Sequence, residues 1–148
     1  RGIMMELHVK SYEMLSKDVL FNIICERINV FVVEQQCSYQ EVDSIDKQAL
    51  HVFYKNGETI VAYTRIYKQD DAVHFGRVLV NQQYRGQDIG RQIVSQTINE
   101  INIRYPQEII KIAGQTYLKA FYTSFGFQIV SEEYLEDGIP HYDMELKL

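Results

Sequence analysis

The sequence predicts an α+β fold, one domain with helices packed on a mixed sheet, and three observations carry that prediction. Short runs that alternate apolar with polar residues, or are rich in β-branched ones, recur along the whole chain. Between them lie apolar stripes at helical spacing. The chain has 148 residues, 46% hydrophobic and 24% charged, which fits one folded domain spanning 1–148 and excludes disordered and fibrous classes. The element order read from these patterns is β-α-β-β-β-α-β-α-β-β. The opening residues 1–5 carry no pattern and read as an expression remnant.

Leu7-His8-Val9-Lys10 alternates and opens the sheet. Ser16-Lys17-Asp18 supplies capping chemistry for a helix that carries Val19, Leu20, Ile23, Ile24, Arg27 and Ile28 and runs to Val30–Glu34. Residues 35–48 are polar and read as a loop or short helical turn. Leu50–Tyr54 and Thr59–Tyr67 form a hairpin whose Asn56-Gly57 pair predicts a type I′ turn with positive φ at both residues. Gln69-Asp70-Asp71 turns the chain into the strand Val73–Val80.

A polar, glycine-punctuated stretch, residues 81–90, then enters a helix with the stripe Ile89, Ile93, Val94, Thr97, Ile98 and Ile101, stopped by Pro106. Glu108–Ala113 is the next strand. Leu118, Phe121, Tyr122 and Phe125 follow at i, i+3, i+4, i+7 and predict a helix closed by Gly126. Phe127–Val130 and Tyr142–Leu148 end the fold around the polar segment Glu132–Pro140. As a terminal strand, Tyr142–Leu148 predicts an exposed edge that permits a homodimer.

Fifteen Lys and Arg against twenty Asp and Glu give a formal charge of −5, which argues against binding driven by nucleic-acid phosphates. No apolar run reaches the ~20 residues of a membrane helix, so no membrane role is expected. The two cysteines, Cys25 and Cys37, have no His or Cys partner at metal-ligand spacing, so neither a metal site nor a disulfide framework is expected. That cysteine usage points to a reducing, cytoplasmic setting.

The segment from Val78 to Arg91 carries the most chemistry. A strand enters a glycine-containing turn and then a helix, which is how backbone N–H groups and a helix N-terminus make an anion site. Gly86 and Gly90 remove side chains where a phosphate approaches, and Arg85 and Arg91 add positive charge. Neither the GxxxxGK[ST] nor the GxGxxG pattern is present, so P-loop and dinucleotide-binding readings fail. An ordinary turn and helix start is the plain alternative.

Arg85-Gly86-Gln87-Asp88-Ile89-Gly90 resembles motif A, Arg/Gln-x-x-Gly-x-Gly/Ala, of the Gcn5-related N-acetyltransferase (GNAT) superfamily, with Asp88 in place of the middle glycine. Ala120-Phe121-Tyr122-Thr123-Ser124-Phe125-Gly126-Phe127 is similar to that superfamily's penultimate helix. The run Arg27 to Gln35, followed by Cys37, Tyr39, Glu41, Asp43, Asp46 and His51, resembles the amino-terminal half of ElaA-type acetyltransferases. Glu136-Asp137-Gly138-Ile139-Pro140-His141 resembles their carboxy-terminal hairpin.

The resemblance implies the GNAT fold, a mixed and mostly antiparallel sheet flanked by helices, and acetyl-CoA as co-substrate. It implies that the strands Val73–Val80 and Glu108–Ala113 start parallel and then diverge, leaving backbone groups of Val78, Leu79 and Val80 for the pantetheine arm. The pyrophosphate falls to residues 86–91, that is Gly86, Gln87, Asp88, Ile89, Gly90 and Arg91, with Arg85 beside them. The N–H of Leu79 or Val80 would polarise the thioester carbonyl. Asp88 brings a carboxylate to a presumed pyrophosphate, a cost unless its side chain turns outward or caps the helix.

The implied reaction is direct attack by a primary amine of a small molecule or peptide. An alkylammonium of pKa ~10.4 is almost wholly protonated at pH 7, so a base is needed. Tyr122 holds the family's general-acid position, with packing on the Leu118–Phe125 stripe as its plain alternative. His74, His141 and water relayed from backbone carbonyls are rival bases. Gln35, His51, Arg65 and Gln115 are candidates for the acceptor mouth, and Arg65 or Arg77 is expected to meet a carboxylate from the Glu34–Asp46 region. A non-catalytic CoA-binding module, or transfer from a different acyl-CoA, are the competing functions.

Overall fold

The computed structural model describes residues 4–148. The first three residues of the expected remnant lie outside the described residues. The chain forms strand β1 (Glu6–Ser11), helix α1 (Lys17–Ile28) with a π-helical extension (Asn29–Glu34), and a short α2 (Ile45–Gln48). Strands β2 (Leu50–Asn56), β3 (Thr59–Gln69) and β4 (Ala72–Val80) precede α3 (Ile89–Arg104). Then come β5 (Ile109–Gln115), α4 (Lys119–Thr123), β6 (Gln128–Ile129), β7 (Tyr134–Glu136) and β8 (Ile139–Lys147). Ser16 caps α1 as its type demands, its hydroxyl accepting from the Val19 N–H at 3.2 Å. No helix among the described residues is long and apolar enough to cross a membrane.

All eight strands belong to one sheet in the order β1-β2-β3-β4-β5-β8-β6, with β7 pairing along β8. Among the described residues only β4 and β5 run parallel. Because strand side chains alternate, β2, β3 and β4 feed two cores. Val52 and Tyr54 pack with Ile93, Val94, Ile101 and Tyr122 on the α3–α4 face. Phe53, Ile60 and Tyr63 pack with Ile23, Val30 and Phe31 of α1 and its extension on the other.

Several expectations are corrected. The first hairpin turn is Gly57-Glu58, with Asn56 still paired to Thr59 and only Gly57 at positive φ, the type II′ pattern. Asn56 stays in the ladder and its amide donates to the Tyr84 hydroxyl at 3.1 Å. The type I′ pattern falls instead at Asp70-Asp71, with φ of 54° and 60°, which aspartate tolerates in the left-handed region. The polar segment Glu132–Pro140 contains β7, which pairs with β8 through Asp137-Gly138. Tyr142–Leu148 is therefore no open edge: β5 flanks β8 on one side, and β7 and β6 cover it on the other as far as Glu145. The α4 helix is shorter than its stripe, since Thr116–Leu118 forms a 3₁₀ turn ahead of it.

One distortion places the site. Arg65 pairs with Gly76, but the next aligned pair is Tyr63 with Leu79, so β4 carries an extra residue there. Arg77 sits in the bulge at a φ of 56°. A bulge bends its strand and raises the twist. The parallel ladder with β5 accordingly holds only for Val73↔Ile110 and His74↔Lys111, after which the two strands part.

Candidate active site

Where β4 and β5 part, a cavity of about 280 Å³ opens through the sheet. β4 contributes Gly76, Arg77 and Val78, and β5 contributes Ala113 and Gln115. Phe31 and Gln35 from the α1 extension close one side, and Asp137 and His141 from the β7–β8 hairpin close another. Tyr122 lies at its inner end, only 6% exposed, with no hydrogen-bond partner for its hydroxyl among the described residues. Burial pushes that phenol above its usual pKa, so it keeps its proton at neutral pH. Gly114 makes the position possible, because a Cβ there would meet Tyr122 Cδ2 at 3.2 Å and Met144 Cε at 3.1 Å.

The wall beside the bulge is a buried charge network. Arg27 bonds Glu41 through Nε at 2.7 Å and Asp46 through Nη1 at 2.7 Å. Arg65 reaches Asp43 at 2.7 Å and Asp46 at 3.0 Å. Arg77 meets Glu41 at 2.9 Å and donates to its backbone carbonyl at 3.0 Å. Three guanidinium groups thus face three carboxylates, and the loop 35–48 is tied to β3, β4 and α1. The expected pairing of Arg65 and Arg77 with this region is present for both. Burial alone would raise the Asp46 carboxyl, but the Arg27 hydrogen bond and charge outweigh it and hold its pKa below the usual carboxylate range.

The loop between β4 and α3 takes the expected strand-turn-helix path. A Cβ on Gly86, at a φ of 79°, would project into open space, and one on Gly90 would make ordinary contact with Val80 at 3.6 Å. Asp88 adopts a φ of 67° at the N-cap of α3 without capping it, and its side chain turns outward, 3.9 Å from Arg91. Arg91 donates to the Ser124 hydroxyl at 3.0 Å and lies over the Phe125 ring, joining α3 to α4. Arg85 is already engaged, donating to Glu34 at 2.5 and 3.0 Å and to the Val80 carbonyl at 3.0 Å. Leu79 and Val80 contribute backbone here, since the Leu79 side chain is buried under α1 and the Val80 side chain packs against the α3 core.

Among the candidate residues, Tyr122, His141, Gln35, Gln115 and Arg65 line the same cavity, and the Gln115 amide reaches Gln35 at 3.5 Å. His51 does not join them. It is fully buried, donating from Nε2 to the Asp46 carbonyl at 2.9 Å and facing the Tyr63 hydroxyl through Nδ1 at 2.6 Å. Its position is structural because α2 folds over that part of β2. His74 sits one step before the strands part, stacked on Tyr67 with Nε2 3.2 Å from the Gln69 carbonyl, and lines a neighbouring cavity instead. Sequence reasoning missed Tyr117 and Gly114 as site residues, whereas Glu136, in the acidic run that could attract a cationic amine, does line the cavity. For Gly114, the small residue opposite an aromatic helix was the available signal.

His141 is 6% exposed, and its Nδ1 lies 2.7 Å from the Ile139 carbonyl. A carbonyl only accepts, so Nδ1 carries the proton of the neutral ring and Nε2 keeps its lone pair. Nε2 faces Glu136 at 3.8 Å, beyond hydrogen-bond range.

Residues 16–148 match a family model described as an acetyltransferase (GNAT) domain. Protein ElaA of Escherichia coli strain K12 is 40% identical over 135 residues, 88% of each chain. The crystal structure of Escherichia coli ElaA aligns with a TM-score of 0.91 at 37% identity, over 96% of this chain and 99% of that one. An acyl-CoA N-acyltransferase from Pseudomonas aeruginosa aligns at 0.92 and 31% identity with the same coverage. With the match running along nearly the whole length, the chain belongs to the GNAT acetyltransferase family, as a member of the ElaA type.

Proposed function

We propose that this protein is an N-acetyltransferase that passes the acetyl group of acetyl-CoA to a primary amine by direct attack in a ternary complex. One observation carries the reading: the hydroxyl of Tyr122, a side chain only 6% exposed, has no hydrogen-bond partner among the described residues and lines the cavity where β4 leaves β5. The residues fit an extended CoA thioester. The β4 edge from Val78 to Val80 lacks a β5 partner, and the Gly86 backbone borders open space ahead of the α3 N-terminus. When bound, the thioester supplies an activated acyl carbon.

The chain's own groups then have distinct tasks. Val78–Val80 would hold the pantetheine amides, and an N–H of Leu79 or Val80 would supply a hydrogen bond to the thioester oxygen. His141 Nε2, with its lone pair free, takes the proton from the incoming ammonium. Tyr122 donates its proton toward the departing sulfur, and its raised pKa keeps that proton available. His74 has no access to this cavity and is set aside as the base. The printed description of the Pseudomonas aeruginosa structure, acyl-CoA N-acyltransferase, supports CoA thioesters as a class and keeps a longer acyl donor as the second reading.

The test is release of CoA thiol from acetyl-CoA over a panel of polyamines, amino acids, aminoglycosides and peptides. Release with an acceptor supports the proposal, and Tyr122→Phe is expected to lower turnover about 10²-fold or more with CoA affinity within twofold. Tight acetyl-CoA binding without release across the panel makes the protein a CoA-binding module instead.

A further inference from the structure

The sheet ends in two unlike edges. Beyond β8 lie only β6, of two residues, and β7, of three, so that side offers no long continuous edge. On the other side β1 pairs with β2 through all six of its residues, and among the described residues no strand pairs with its outer side. A strand of that length with a free row of N–H and C=O groups is a template for a further strand.

The side chains of β1 say which strand fits. Glu6, His8 and Lys10 share the face that α1 covers, where His8 stacks on Phe53 at 5.2 Å, and Leu7 and Val9 share the α3 face. Leu7 is 40% exposed. Lys10 meets no carboxylate among the described residues, and Glu6 meets only His8, at 3.5 Å. Opposite charges placed evenly about His8 on one face match themselves when the strand is laid antiparallel on its own copy. With His8 at the centre, Glu6 faces Lys10 of the second copy and Lys10 faces its Glu6, while Leu7 and Val9 pair crosswise on the other face. Opposite-charge and apolar pairs of this kind stabilise neighbouring strands. A slip of one residue sets charged against apolar side chains. A slip of two sets Lys10 opposite Met4 or Glu6 opposite Tyr12, so one register alone pairs both charges.

We propose that β1 is a homodimer seam, joining two copies of this chain antiparallel about a two-fold axis at His8 into one continuous sheet with twice the eight strands of a single chain. The homodimer expected at Tyr142–Leu148 moves to the opposite end of the sheet. A seam of six residues is smaller than a standard interface, so association is weak and depends on concentration. Since β4 lies three strands in, about 14 Å from β1, neither cavity is completed or closed by the second copy, and the inference does not rest on the acyltransfer reading.

Sedimentation equilibrium of the full chain at low salt and rising concentration decides it. The chain is expected to dimerise, and Lys10→Glu, which sets carboxylate against carboxylate in both pairs, is expected to weaken the dimer about tenfold or more. Glu6→Lys is expected to do the same with cations, and serves if Lys10→Glu does not fold. The double variant Glu6→Lys, Lys10→Glu restores opposite charges and is expected to return the dissociation constant to within about threefold of the original. A monomer at every concentration overturns the seam, as does a dimer that neither single substitution weakens or that the double variant fails to recover. Titration with CoA keeps the two readings apart: a monomer that binds CoA removes the dimer alone, and a dimer that does not bind CoA removes the acyltransfer reading alone.

Discussion

The Arg85 guanidinium grips the Glu34 carboxylate at 2.5 and 3.0 Å, joining the loop before α3 to the end of the α1 extension. The pair is about two-fifths exposed on each side, so it is worth no more than ~1 kcal/mol of stability. Its larger effect is electrostatic, because Glu34 neutralises a cation that borders the loop 86–91. Glu34→Gln is therefore expected to tighten CoA binding about two- to fivefold at low salt, with the gain shrinking at high ionic strength. Calorimetry at two salt concentrations reads this, and weaker binding in the variant contradicts it.

The absence of a side chain at Gly114 leaves room for the Tyr122 ring, which lines the cavity. Gly114→Ala puts a methyl 3.2 Å from the Tyr122 ring and 3.1 Å from Met144. Overpacking of this kind costs typically ~1–3 kcal/mol, and the ring is the softer neighbour because it borders the cavity. A urea unfolding curve should show that loss, and turnover should fall by more than the change in CoA affinity. Unaltered turnover would mean that Tyr122 has room to move without consequence.

Arg27 is the pivot of the buried network, 1% exposed and bonded to both Glu41 and Asp46. Arg27→Ala leaves two buried carboxylates short of a partner, a loss of about 3–5 kcal/mol. For a chain of this size that corresponds to a drop in Tm of roughly 10 °C. Arg27→Lys is expected to recover only part of it, since a single ammonium cannot reproduce the fork that reaches both acids. Thermal unfolding followed by circular dichroism distinguishes the three proteins.

What could be read in the sequence was local. Ser16 caps α1 and the Ile89–Ile101 stripe packs inward because both depend on residues within a turn or two. The strand order up to β4 followed from hairpin chemistry, although the type I′ pattern falls at Asp70-Asp71 and not at Asn56-Gly57. Arg77 was not legible as a bulge residue: nothing in its side chain asks for positive φ, and its place depends on Glu41 and Asp43 arriving from another segment. The histidines divide for the same reason. Alternation assigns His51, His74 and His141 to one sheet face, but α2 covers His51, Tyr67 stacks on His74, and only His141 borders the parted strands.

Stability should depend on pH through His51. Burial disfavours the charged imidazole, so the folded chain takes up this proton at lower pH than the unfolded chain, whose imidazole titrates near ~6.5. Between those values the unfolded state binds more protons, and stability rises with pH by at most about 1.4 kcal/mol per unit. The urea midpoint should therefore be flat above pH 7 and fall as pH drops through 6.5. A second decline follows below about pH 4, where burial is outweighed by Arg27 and Arg65 in holding Asp46 and Asp43 below the usual ~3.9, so that their stabilisation is lost as they protonate. His51→Gln should abolish the first decline and keep the second, whatever its absolute stability. A wild-type midpoint that does not change between pH 7 and pH 5 would show that His51 accepts its proton without disturbing Tyr63 and the Asp46 carbonyl.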